Sequence, residues 1–271
     1  MIIDTKWLAC ASVAILAAAA ADARAQGEAL VEVDSVPMQI GLGVASVPDY
    51  MGSDHQKATI APLFRYTFAD GYRYFSWLGP QASLNLLSSP RFRLGPVLNV
   101  HAGRDNDVED DAVKRMQEIH AKLEVGVFGE MVFADESNRR NRTIVGASYL
   151  TNSGRGRARL NARWWHQVAP QWDLQLGAGL VYGSSGYNNY YFGVSSDNRG
   201  SSGLPDFTAS SGVNEYYGTI GAAWYINRNW MGVGGVKLAQ IAGDAKDSPI
   251  VKDRGDKTQT SLLVGAVYQW R

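Results

Sequence analysis

The stretch VPDYMGSDHQ, residues 47 to 56, gathers the kinds of side chain that small catalytic and metal sites use. Asp49, Ser53, Asp54 and His55 offer a Ser/His/Asp trio for nucleophilic attack, or an oxygen-rich loop for a hard cation. A second group lies further on, where His101 and His120 flank a segment carrying Asp105, Asp107, Glu109, Asp110 and Asp111. A His and a carboxylate at one mouth would suit proton transfer. The acidic run would suit Ca²⁺ or a divalent bridge to lipopolysaccharide, although it lacks EF-hand spacing. No H-E-x-x-H or paired-His spacing is present, and the one cysteine, Cys10, falls near the N-terminus. Transition-metal, disulfide and thiol chemistry are therefore not expected, nor is a cofactor. What these groups mean depends on the elements that carry them.

The first 25 residues read as a secretory signal peptide. Lys6 precedes an apolar run from Trp7 to Ala21, and Ala23-Arg24-Ala25 forms an A-x-A cleavage site before Gln26. The run is shorter than the roughly 20 residues of a spanning helix. Removing it takes Lys6 and Arg24 with Asp4 and Asp22, so the charge stays balanced, and nothing points to nucleic acid. Residues 26–35 then form a periplasmic lead, and 36–271 the folded body.

That body is written in period two. In VPMQIGLGV, Val36, Met38, Ile40, Leu42 and Val44 alternate with Gln39, Gly41 and Gly43. FRLGPVLNVHA, IHAKLEVGVFGEMVF, WDLQLGAGLVY and TQTSLLVGAVYQW repeat the pattern. Alternation puts one greasy face opposite a small or polar one, over lengths nearer the about nine to eleven residues of a tilted bilayer strand than the usual five or six. Twelve strands are expected, at 36–47, 57–68, 72–78, 81–87, 92–103, 119–133, 143–150, 157–169, 172–183, 214–226, 230–243 and 258–270. The fold class is an all-β, transmembrane, antiparallel up-and-down barrel in the outer membrane, with ten strands as the alternative count. A closed barrel satisfies every backbone group in hydrocarbon, and Pro62 and Pro96 call for bulges or weakly paired spots.

The connections alternate as such barrels require. Residues 69–71, 88–91, 134–142, 170–171 and 227–229 form the periplasmic set, flanked by Phe68, Tyr72, Phe92, Phe133, Trp172, Trp230 and Trp270 as an interfacial girdle. The outer set is 48–56, 79–80, 104–118, 151–156, 184–213 and 244–257, longer except for Gly79-Pro80. In 184–213 no helix start is visible, and its Tyr187, Tyr190, Tyr191, Phe192 and Phe207 point to a folded lid or contact surface. On the inward faces Arg65, Arg93, Lys122, Arg157, Arg159 and Arg163 stand with Glu124, Glu130 and Asp173. Such a mixture either knits a small barrel shut through ion pairs or lines a narrow pore. His101 and His120 fall on the same inward faces.

Two motifs, in order, resemble the MipA/OmpV family of MltA-interacting outer-membrane proteins. The first matches at Gly41, Gly43, Pro48, Tyr50, Gly52, Ser53 and Asp54; the second at Tyr191, Phe192, Gly193, Val194, Ser202, Gly203, Leu204, Pro205 and Phe207. The resemblance implies a barrel without known catalysis. It further implies a scaffold joining a murein hydrolase, a lytic transglycosylase, to a murein synthase, with solute passage or adhesion as the alternatives. One departure is that the chain ends Tyr268-Gln269-Trp270-Arg271 instead of on the aromatic residue itself. Within the first motif, Pro48 is expected to stop the ladder, and Tyr50 and Asp54 to pin the loop at the barrel rim.

Overall fold

The computed structural model describes residues 37–270; the expected signal peptide with Cys10, and the expected lead at 26–35, lie outside them. Twelve strands follow one another: β1 (Met38–Pro48), β2 (Gln56–Thr67), β3 (Tyr74–Leu78), β4 (Gln81–Asn85), β5 (Phe92–His101), β6 (Lys122–Ala134), β7 (Arg142–Asn152), β8 (Arg155–Ala169), β9 (Trp172–Gly183), β10 (Gly212–Tyr225), β11 (Trp230–Ile241) and β12 (Thr258–Trp270). Each pairs antiparallel with its chain neighbours, and β12 closes the barrel on β1 with Trp270 opposite Met38. All twelve expected segments are present, and closure leaves no sheet edge along most of the wall.

The alternation sets the faces. Ile40, Leu42 and Val44 are 53, 60 and 56% exposed, as an outward apolar band requires, whereas the glycines between them turn inward. Outward aromatics cluster at both rims. Phe68, Phe92, Phe133 and Trp230 mark the end with the tight turns, and Trp77, Tyr149, Tyr182 and Tyr216 the end with the long loops. The prolines sit where ladders break. Pro62 is the last β2 residue to bond the β3–β4 hairpin, accepting from Gly79 N at 2.8 Å. Pro96 falls where the β4–β5 register, which covers Val97–Asn99, stops.

Two expectations about the loops need correction. The connection at 151–156 is not long, because β7 and β8 run on to Asn152 and Arg155 and leave only Ser153-Gly154, both at positive φ (48° and 81°). That is the primed two-residue turn that matches strand twist. The 184–213 connection does contain helices. α1 (Asp111–Lys114) precedes it in the chain; within it lie α2 (Ser185–Phe192) and α3 (Ser196–Ser202); a 3₁₀ turn (Gly243–Asp247) and α4 (Pro249–Lys252) follow. The starting signals are serines. Ser184 accepts from Tyr187 N and Ser195 from Asn198 N, each filling a donor that the first helical turn leaves open. Gly203, at φ 78°, ends α3 in the left-handed cap that glycine adopts without a Cβ penalty.

Candidate functional site

The long loops fold together into a cap. Tyr50 from the β1–β2 loop, Val108, Ala112, Val113 and Met116 from the β5–β6 loop, Val194 and Leu204 from the β9–β10 loop, and Ile250 from the β11–β12 loop form one buried cluster. A second joins Ile119, Tyr187, Tyr191, Phe192, Ile241, Ala245 and Val251. Because these loops rise from different parts of the ring, their shared cores lie across the mouth. Polar contacts tie them further. Gln117 N donates to Asn198 Oδ1 at 2.7 Å, Ser248 Oγ to the Phe192 carbonyl at 2.6 Å, and the Tyr50 hydroxyl to the Arg254 carbonyl at 3.3 Å. Burial raises the Tyr50 phenol above its ordinary range and pulls the Arg104 guanidinium down to about 10, where it is still a cation at neutral pH.

The residues of the two sequence motifs meet in this cap. Pro48 closes the β1–β2 ladder opposite Gln56. Tyr50, Tyr191, Phe192, Val194 and Leu204 are buried in the two clusters. Gly52 has φ 100°, and a Cβ there would come within 2.6 Å of Val251 Cγ2, so the position excludes a side chain twice over. Gly193 caps α2, Ser53 is buried, and Pro205 is exposed beside Leu204. Asp54 does not pin the loop: it is exposed and, among the described residues, pairs only with its neighbour His55, at 2.8 Å. The carboxylate that holds the rim is Asp49, which accepts from Glu109 N at 3.1 Å and pairs with Lys57 at 3.3 Å. Asp49→Ala should cost about 1–3 kcal/mol, since it removes a buried carboxylate's half-buried hydrogen bond to the Glu109 N–H and its pairing with Lys57. Asp54→Ala should change stability by less than about 0.5 kcal/mol, and loop protease resistance distinguishes the two.

The side chains with catalytic potential are committed elsewhere. Ser53 Oγ accepts from the His55 backbone N–H at 3.0 Å while the His55 ring turns to Asp54, so no Ser–His pair forms. His101 stacks on Tyr191 with centroids 4.1 Å apart. Its Nδ1 faces the Ala102 carbonyl at 2.9 Å and must donate, so Nε2 accepts from the Tyr187 hydroxyl at 2.8 Å. His120 is not on the lumen face: β6 begins only at Lys122, and His120 stands in solvent beside Glu118. The acidic loop is held by its own contacts. Burial pushes the Asp110 carboxyl up, but N–H donors from Val113 and Ala112 at the start of α1, with the Arg254 guanidinium, outweigh it and hold it below the ordinary value. A depressed carboxylate stabilises the fold above its unfolded pKa of about 4 and loses that stabilisation as pH falls through the folded value. Cap protease resistance should therefore be flat from neutrality to about pH 4 and decline below it, and Asp110→Asn should reduce that acid step, the Asp244 carboxyl held low by Ser210 N–H carrying the rest.

Inside the wall the charges lie in three layers. Near the cap, Arg157 Nη2 and Glu124 are 2.6 Å apart, and Asn99 donates to the same carboxylate at 3.0 Å; Lys122 stands at the rim of β6, opposite His101. Midway, Glu130 takes both Arg93, at 3.1 Å, and Arg163. At the turn end, Asp173 accepts from Arg140 Nε at 3.0 Å and from the Tyr225 hydroxyl at 3.1 Å. Arg140 lies in a turn rather than a strand, so strand alternation gave no signal for it. The inside there is also partly apolar, with Ala223, Tyr225, Met231 and Val267 packed together against Leu63, Trp165 and Val233. Between that layer and the cap lies a cavity of ≈ 270 Å³ lined by Arg65, Arg93, Arg159 and Arg163. The ion pairs tie separate strands together across the inner wall.

A family model described as MltA-interacting protein MipA matches residues 40–270. No curated protein sequence matches the chain. Among solved structures, the chain is similar to the NanC porin, with TM-score 0.51 and 7% identity over 86% of this chain and 100% of that one. It is also similar to an outer membrane channel from Pseudomonas putida F1, with TM-score 0.48 and 12% identity over 90% of this chain and 99% of that one. At these identities the likeness is one of fold.

Proposed function

Because the chain belongs to the MltA-interacting protein MipA family, an outer-membrane barrel family, we propose that it is a scaffold joining peptidoglycan-remodelling enzymes, a lytic transglycosylase and a murein synthase, at its periplasmic face. The capped lumen supports this reading, since folded loops closing the outer mouth argue against a general diffusion pore. In barrels of this kind the short turns face the periplasm. Here they are held stiff by side-chain bonds to their own backbone. Asp70 accepts from Tyr72 N and Arg73 N, Ser89 from Arg91 N and Phe92 N, and Asn227 from Asn229 N and Trp230 N. A pre-organised platform loses little entropy on docking. Its basic groups Arg73, Arg91, Arg139 and Arg228, the first of them paired with Asp70, slightly outnumber Asp70, Asp135 and Glu136, which favours a partner with an acidic face.

Co-purification from detergent-solubilised envelopes tests the proposal. Both murein enzymes should be recovered with the wild-type barrel, and Arg73→Glu/Arg91→Glu should weaken recovery and its salt dependence. Recovery of neither enzyme would remove the proposal.

A further inference from the structure

Going beyond the scaffold reading, we propose that the mid-barrel cavity is a binding site for a small solute carrying a carboxylate or phosphate group. Four guanidinium groups, of Arg65, Arg93, Arg159 and Arg163, line it against the single carboxylate of Glu130. Glu130 is already shared by Arg93 and Arg163. Among the described residues no carboxylate lies within ion-pair distance of Arg65 or Arg159. The Nε atoms of Arg65, Arg159 and Arg163 are enclosed with no hydrogen-bond partner. Each such orphaned donor is destabilising, and an excess of like charge in a confined space adds to it. An oxyanion in the cavity relieves the charge excess, because its oxygens accept from guanidinium forks in the geometry arginine is built for. The volume of ≈ 270 Å³ lies just under the range of about 300 Å³ and upward that holds drug-sized ligands, which sets the solute at the size of a phosphate ester or a small organic acid.

The cap covers the axial route, but the wall itself is notched. β3 and β4 are five residues each, whereas β2 and β5 on either side continue to Gln56 and His101. The last rungs over the hairpin are Gly79 N to the Pro62 carbonyl at 2.8 Å and Val100 N to the Pro80 carbonyl at 2.9 Å. Above them, among the described residues, no strand pairs with residues 56–61 on this side, and Gln56–Ile60 are exposed on both faces. Unpaired backbone is tolerated at such a site only where water reaches it. Leu78 and Gln81, which flank the hairpin turn, also line the cavity. The notch is thus a hydrated side opening onto the arginines.

Calorimetric titration of the full barrel in detergent with inorganic phosphate, gluconate and neutral glucose tests this. Phosphate, gluconate or both should bind, weakening as salt is raised, and glucose should not; which anion binds distinguishes phosphate from carboxylate recognition. Arg65→Gln/Arg159→Gln should weaken binding by about tenfold or more, and Arg159→Lys should retain part of it. If the double variant loses its heat-modifiable gel form, Arg65→Gln alone replaces it, with a smaller loss expected. Binding of neither anion, equal binding of glucose, or unchanged affinity in the folded arginine variants would overturn the proposal.

Discussion

Phe192→Ala is expected to open the cap while leaving the barrel wall standing. The ring is fully buried at the end of α2, clustered with Ile119 of the β5–β6 loop, Val251 of the β11–β12 loop and Ile241 at the end of β11. Truncating a buried Phe removes about 3–5 kcal/mol. The loss falls on the cap because the ring touches no strand ladder except at the ends of the wall. Limited proteolysis should therefore cut within residues 184–211 and 242–257 of the variant at protease levels the wild type survives. The temperature of its heat-modifiable gel shift should fall far less. Conductance steps in planar bilayers should emerge in the variant as the mouth loosens. An unchanged cleavage pattern would show that the loops do not depend on a shared core.

The second large effect is expected from Glu124→Ala. Glu124 and Arg157 are 2% and 6% exposed, and the pair is bidentate, with Nε at 3.1 Å and Nη2 at 2.6 Å from one carboxylate oxygen. Removing one partner leaves a buried cation without compensation, at a cost of about 3–5 kcal/mol. Replacing both, as Glu124→Leu/Arg157→Met, should recover most of that loss, because two apolar side chains of similar volume avoid the desolvation the pair itself incurs. Unfolding midpoints of the three proteins, read from the heat-modifiable band in one detergent, check the order: wild type and double variant close together, single variant well below.

The wall was legible in the sequence, and the cap only through the aromatics of the 184–213 loop, for a physical reason. A strand between lipid and lumen must alternate, so β1, β6, β9 and β12 declare themselves residue by residue. β3 and β4 are the weakest segments in that pattern, and they are also the shortest strands, where the notch lies. A cap assembled from four loops carries no period. Val108, Met116, Val194, Leu204 and Ile250 are isolated apolar residues in polar surroundings, and only their meeting in space makes a core. The helices in the β9–β10 loop are short and rich in Ser, Asn and Gly, residues that weaken helix propensity, so only their capping serines could have marked them. The motif at residues 48–54 reads in sequence as a turn pinned at the rim by Tyr50 and Asp54, of which Tyr50 does so. Its positions are instead mostly those of cap packing, with Tyr50 inside, Gly52 where no Cβ fits, and Asp49 rather than Asp54 anchoring the next loop.

This arrangement separates two ends with different chemistry. The loop end is a folded lid with a shared apolar core, and the turn end is a stiff rim with a slight excess of basic groups. A scaffold working on the murein layer needs only the second.

Photo-crosslinking in intact cells tests that division most directly, with the reactive group placed at Glu136 on the turn end or at Asp111 on the cap. The account predicts adducts with a lytic transglycosylase or a murein synthase from position 136 and none from position 111. Adducts from position 111 alone, or none from either position, would contradict it.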